Sequence, residues 1–275
     1  MSAIADVTGK VRSFHRRRIA LPSFIDASSL VLDVGSGDKP HWRADVLVDR
    51  FPEAEHAVQR SGTAAARTPR PLFDADVTDM PFVDKVFDYV ICSHLLEHVT
   101  DPAAAIDEMV RVSKAGYIEV PRATSAKVID FPSHVWWCRD EGGPGGARTL
   151  VFTAKTTHAF DPEIESFARL PHIERELNAL IDRYLDDCVI ALAWSGDVSY
   201  RVEGVVDDDL LARVAVSNAH HKQAETLAGR VLTAALTLPE RRRLRRAPVR
   251  HDDIVREPFR LGRDEALTPR RYAVQ

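Results

Sequence analysis

The segment richest in chemistry is Leu30-Val-Leu-Asp-Val-Gly-Ser-Gly-Asp-Lys-Pro40, an apolar run that passes directly into Gly35-Ser36-Gly37. Glycine freedom lets the chain reverse there and lets a ligand approach the main chain. Two kinds of ligand use such a loop: a dinucleotide and S-adenosylmethionine (SAM). A dinucleotide loop has a third glycine three residues on, for close packing of helix on strand. Pro40 stands at that position. Asp33, at the carboxyl end of the expected strand, would repel a pyrophosphate but suits a cationic sulfonium carrying an α-amino group. The plain alternative is an ordinary tight turn after a buried strand. A second run, Ala44-Asp-Val-Leu-Val-Asp49, also ends in a carboxylate, placed to bind the hydroxyls of a ribose.

Two later segments follow in order: Asp76-Val-Thr-Asp-Met-Pro-Phe82, then Val86-Phe-Asp-Tyr-Val-Ile-Cys-Ser-His-Leu-Leu-Glu-His-Val99. With the glycine loop and Asp49, these resemble the class I SAM-dependent methyltransferases. The likeness is to the methyltransferase type 11-like subgroup, which has D-x-x-x-(L or M)-P-F before F-D-x-V and L-E-H-V after it. It covers about residues 28–121, with weaker support from 188–204. It implies that Gly35, Ser36 and Gly37 lie under the methionine part of SAM, with Asp33 bracing the loop near the amino group. It implies Asp49 at the ribose, Asp76 at the adenine amine with the Val77 amide at the ring, and Ser93 and His94 beside the sulfonium. Asp88 reads as a structural residue that fixes the start of its strand, and Glu97 and His98 as structural too.

Two departures from the pattern stand out. The short stretch between Gly37 and Asp49 leaves no room for a full-length crossover helix, and Pro40 bars a helix interior there. Methyltransferases of glycan and cell-surface biosynthesis have similarly short crossovers, and Ala44-Asp-Val-Leu-Val-Asp-Arg50 is similar to their version. The family's P-G-G is here Lys114-Ala-Gly116.

The elements that must position these residues are short apolar strands at Leu30–Val34, Ala44–Val48, Val86–Cys92 and Gly116–Val120. Near-continuous apolar runs suit a parallel sheet buried on both faces. A helix is expected over Thr100–Lys114, capped by Thr100 or Asp101, with Pro102 in its first turn and Gly116 as its stop. Cys188–Trp194 and Ser199–Glu203, separated by Ser-Gly-Asp-Val, read as an antiparallel hairpin at the sheet edge. The expected fold is therefore α/β: a Rossmann-like, mostly parallel sheet with a terminal antiparallel hairpin and helical extensions at both ends. The expected division is a helical lead-in over 1–27, a methyltransferase domain over 28–204, and an arginine-rich, mainly helical extension over 205–275.

Acceptors of this fold are bound by insertions above the strand carboxyl ends, which points to 122–187. There Pro132-Ser-His-Val-Trp-Trp-Cys-Arg-Asp140 offers a titratable base in His134, stacking rings in Trp136 and Trp137, and a fixed cation in Arg139. The expectation is that His134, Trp136 and Arg139 surround the mouth of the SAM site. The tryptophans could equally seal the core. His134 and His94 are the candidate bases, needed only if the acceptor is a hydroxyl.

Composition narrows the rest. The chain has 275 residues, 28% of them charged, and a formal net charge of −4, which does not suggest a nucleic-acid binder. Residues 205–275 carry +4 and the remainder −8. The arginine run at 241–246 is either a solvated helix face or a site for an anionic partner. No run is long and apolar enough to span a membrane, and the N-terminal residues lack the apolar block of a secretory signal. Cys92, Cys138 and Cys188 form neither a disulfide framework nor a zinc pattern, so no metal site is expected and a cytoplasmic location is. The expected activity is methyl transfer from SAM to a small or carrier-linked acceptor, oxygen on a sugar or related metabolite. The alternatives are a non-catalytic SAM-binding scaffold and, less favoured for want of the third glycine, an NAD-dependent oxidoreductase.

Overall fold

A computed structural model describes residues 15, 19–50, 66–128, 133–142, 148–156, 162–168, 170–211, 227–244 and 248–274. Residues 1–14 and 16–18 of the expected helical lead-in lie outside these residues, as do Arg245 and Arg246 of the arginine run, and residues 20–27 form turns and bends rather than helix.

The first strand, β1 (Val31–Val34), is buried at every position, as its unbroken apolar run predicts. It pairs in parallel with β2 (Val46–Val48) on one side and with β4 (Tyr89–Ser93) on the other. β3 (Leu72–Asp74) lies beyond β2, and β5 (Ala115–Pro121) beyond β4. The chain thus runs outward from β1 to β3 and then crosses back to the other side. The strand order reverses at β1, and in open α/β sheets the crevice for a ligand lies there, outside the strand carboxyl ends. Between β1 and β2 there are only turns, as Pro40 and the short spacing require.

The helix α1 (Pro102–Val112) forms as expected. Asp101 caps it by accepting the Ala104 amide, and Ile106, Met109 and Val112 face the core. Asp88 takes the structural role read for it: its carboxylate accepts the Leu30 amide at 2.7 Å and pairs with Lys114 at 2.8 Å. Gly116 does not stop the helix. It lies inside β5, where an added Cβ would come 2.6 Å from Val90 Cγ1 and 2.7 Å from Trp194 Cζ2.

The expected edge hairpin is not formed. β8 (Val189–Ser195) does join the sheet antiparallel to β5, across all seven of its residues. β9 (Ser199–Glu203) instead leaves it and pairs in parallel with β7 (Thr149–Ala154), which pairs antiparallel with β6 (Trp136–Glu141). The reason lies in the insertion, read as an acceptor loop: it contains two strands, and β7 offers β9 an open edge. The glycine turn at Gly196, with φ +81°, permits the change of direction.

The C-terminal residues also do more than extend the chain as helices. Beyond α2 (Leu227–Leu236) the chain returns to the sheet, and β10 (Arg271–Ala273) pairs in parallel with β3. The main sheet therefore has seven strands in the order β10-β3-β2-β1-β4-β5-β8. Tyr272 stacks on Phe73 at 5.1 Å, and Val255 bridges Phe82. No described helix is long and apolar enough to cross a membrane.

Two substitutions test this packing. Gly116→Ala should lower stability by about 1–3 kcal/mol, the usual cost of overpacking, as read by urea unfolding; an unchanged midpoint would mean that Val90 and Trp194 yield freely. Tyr272→Ala should cost roughly 3 kcal/mol by opening a cavity against Phe73. Loss of only a few tenths would mean that β10 merely rests on the edge of the sheet.

Candidate functional site

The glycine loop folds back over the end of β2. The Gly35 and Ser36 amides donate to the Val48 carbonyl at 2.9 and 3.3 Å. Gly35 and Gly37 adopt φ of +66° and +49°, which explains why glycines stand there. A Cβ on Gly35 would meet Leu95 Cδ1 at 2.9 Å, so the loop after β1 touches the loop after β4. Two buried carboxylates shape the loop. Asp49 accepts the Gly37 amide at 2.9 Å, and Asp33 accepts the His41 amide at 2.7 Å, pinning the short crossover. Ser36 is buried with its hydroxyl unmatched by any hydrogen bond.

Asp76 follows β3. One of its oxygens accepts the amide and hydroxyl of Thr78, each at 2.9 Å, while the other pairs with Arg50. Val77 beside it is buried. Acidic groups, a buried hydroxyl and a glycine turn at the switch point form a donor-poor, acceptor-rich cradle. It fits a ligand that brings an amine, ribose hydroxyls and a positive sulfur, and so fits SAM.

At the end of β4, Ser93 reaches Glu119 at 3.4 Å. His94 has φ +55°, unusual for a side-chain-bearing residue, and its amide donates to the Glu119 carbonyl at 2.8 Å. Its ring lies between two buried carboxylates, Nδ1 at 3.2 Å from Glu97 and Nε2 at 3.2 Å from Glu119. Desolvation opposes the charged ring, but the hydrogen bonds with Glu119 and Glu97 outweigh it and push His94 up to about 9. At neutral pH it is therefore an imidazolium. With both ring N–H groups held by carboxylates it is a poor general base, which weighs against its candidacy above. Tyr117 donates to the second Glu119 oxygen at 2.5 Å. Burial pushes the Cys92 thiol well up, with Glu97 and Asp33 adding to it, so this cysteine is inert.

The insertion residues divide. His134 is buried and lies near the site, its Nε2 3.8 Å from the same Glu97 oxygen that faces His94. Trp136 seals the core: it is buried, and its indole donates to the Val99 carbonyl at 2.7 Å. Arg139 pairs instead with Glu203 of β9 at 3.0 Å. The alternation of a strand puts Trp136 and Arg139 on opposite faces of β6, so the expected trio does not converge. Trp137 carries two ammonium groups near its ring, Lys155 at 4.0 Å and Lys127 at 5.6 Å.

Residues passed over as structural in the sequence take the vacated places. Glu97, fully buried, and His98 come together with His134, and their ligand-type atoms lie within 4.8 Å of one another. Burial is the largest influence on His98 and lowers its pKa, which keeps the ring neutral. The adjacency of Glu97 and His98 was visible in the sequence, but the arrival of His134 from the insertion was not.

The methyltransferase-domain family matches residues 32–118 of this chain. No curated protein matches. Among solved structures, a SAM-dependent methyltransferase from Thermotoga maritima is 18% identical over 44% of this chain and 54% of its own, with a TM-score of 0.30. The arsenic(III) SAM methyltransferase of Chlamydomonas reinhardtii is 15% identical over 43% and 49%, with a TM-score of 0.28. The YcgJ protein of Bacillus subtilis is 15% identical over 68% and 94%, with a TM-score of 0.32. The chain thus spans about half the length of the first two. The family match ends at β5 and begins in β1, and so encloses the glycine loop, Asp49, Asp76 and the turn after β4. Residues 32–118 of the chain are thus similar to the methyltransferase domains.

Proposed function

We propose that the chain is an enzyme that transfers the methyl group of SAM to a hydroxyl oxygen on a sugar or related polar metabolite, small or carrier-linked. One observation carries this reading: the glycine loop after β1 and the imidazole cluster after β4 meet at the switch point of the sheet, in contact through Leu95. In this reading Asp33, Gly35, Ser36 and Gly37 hold the methionine part, Asp49 the ribose, and Asp76 with Val77 the adenine. Ser93 lies beside the sulfonium.

SAM supplies a methyl group on a positively charged sulfur. The chain's contribution is mainly alignment, which alone can remove several kcal/mol of barrier. Transfer breaks the carbon–sulfur bond and forms the carbon–oxygen bond, leaving S-adenosylhomocysteine and one proton from the hydroxyl to be removed. His94, charged near neutrality with both ring N–H groups held by Glu97 and Glu119, contributes positive charge and does not take that proton. Proton removal falls to the His134 side of the cluster.

Two measurements test this reading. Asp49→Ala should weaken both SAM and S-adenosylhomocysteine by calorimetry, each charge-assisted ribose hydrogen bond contributing about 1.5–3 kcal/mol. Because Asp49 also holds the Gly37 amide, Asp49→Asn serves as the milder variant, and unchanged affinity in both removes Asp49 from the site. Methyl-labelled SAM, offered with sugar, nucleotide-sugar, lipid-linked and small aromatic pools, should identify the acceptor. With that acceptor, His134→Ala should lower turnover about 10²–10⁴-fold at nearly constant SAM affinity. A product on nitrogen or carbon, or none from any pool, would sink the oxygen-acceptor reading.

A further inference from the structure

We propose that Glu97, His98 and His134 form a binding site for one divalent first-row transition ion, of the zinc class, beside the methyl-transfer site. Glu97 is costly to bury. Its side chain is fully buried, and its Oε2 accepts no hydrogen bond. The His94 imidazolium at 3.2 Å compensates Oε1, but a buried carboxylate whose second oxygen has no donor still favours a further cation.

Two imidazoles face this carboxylate without bonding to it. His98 Nε2 stands 3.9 Å and His134 Nε2 3.8 Å from Glu97 Oε1. These separations are too long for hydrogen bonds. They are a few tenths of an ångström wider than the roughly 3.3–3.6 Å between two ligands of one tetrahedral ion with bonds of about 2.0–2.2 Å, so the side chains would draw in slightly to share one. His98 is also set for ligation by its other nitrogen, because Nδ1 lies 3.0 Å from the Ser133 carbonyl. A carbonyl only accepts, so Nδ1 carries the proton and Nε2 keeps its lone pair toward Glu97. An outer partner of this kind commonly fixes the tautomer of a ligating histidine.

The framework is rigid. The Val135 amide donates to the Glu97 carbonyl at 2.8 Å, and the Lys155 amide to the Val135 carbonyl at 3.0 Å, which ties the turn after β4 to the start of β6. The rings of His98 and His134 pack edge to face at 4.8 Å. Two imidazole nitrogens and one carboxylate favour a borderline transition ion over calcium or magnesium, which prefer oxygen ligands. Three protein ligands also leave a position for an oxygen from outside.

If the methyl-transfer reading holds, on which this step rests, that oxygen belongs to the acceptor. The ion would lower the hydroxyl's pKa so that its proton passes to solvent water, and His134 would serve turnover by holding the ion rather than as the base.

The test uses the full chain, stripped with chelator and titrated with zinc chloride by calorimetry, alongside cobalt(II) titration followed by visible absorption. The expected result is one ion per chain, with d–d bands of a nitrogen- and oxygen-ligated cobalt site. Glu97→Gln and His98→Ala should each weaken zinc by more than the roughly 10–100-fold that follows loss of an outer-shell partner. Zinc should raise the melting temperature of the parent protein but not of either variant. Glu97→Gln preserves shape, so a folded variant that binds zinc as the parent does overturns the site, as does a parent that binds none. Zinc binding in a chain that binds no SAM supports the site while sinking the methyl-transfer reading. SAM binding and turnover unaffected by chelation, in a parent that takes no zinc, do the reverse.

Discussion

The arrangement depends on β1 being closed on all sides. Its side chains are buried on both faces, and both of its edges are taken by parallel strands. A strand held this way cannot slip or splay, and the chain leaving its carboxyl end has nowhere to go but outward over the sheet. Both glycines of that exit take positive φ because the turn is tight and Leu95 crowds it. The short crossover that follows has no helix to steady it. Asp33 and Asp49 do that work instead, each accepting one loop amide. The acidic character of the loop and its shape therefore have one cause.

The same economy governs the end of β4. Four carboxylates, Asp33, Asp49, Glu97 and Glu119, are withdrawn from water around the two touching loops. Each needs a donor. Backbone amides serve the first two, Tyr117 and His94 serve Glu119, and His94 serves one side of Glu97. The field of these groups keeps His94 protonated and makes the region favourable to positive charge. A sulfonium on one side and a divalent ion on the other would each meet that field, which links the two proposals to one electrostatic cause.

Long-range pairing decides the rest of the molecule. β10 joins β3 from almost two hundred residues away, and its Tyr272 completes an aromatic stack on Phe73. β9 turns away from β8 and finds β7. Both events cover sheet edges that would otherwise lie open. The second sheet also holds the start of β6, and with it the segment that carries His134 toward Glu97.

Local sequence was enough wherever local physics dominates. The apolar runs named β1, β2, β4 and β5, Asp101 and Pro102 placed the start of α1, and Pro40 ruled out a helix in the first crossover. The glycine loop and the carboxylates at strand ends were legible for the same reason, since each is a short motif whose chemistry follows from its own spacing. Tertiary structure alone decided which edges pair, because a strand's apolar pattern says that it is buried and not against what. It also moved Arg139 away to Glu203, left Trp136 sealing the core, and brought Glu97, His98 and His134 within reach of one another. A site assembled from a turn and a distant insertion has no period and no motif, so its members look structural until the backbone brings them together.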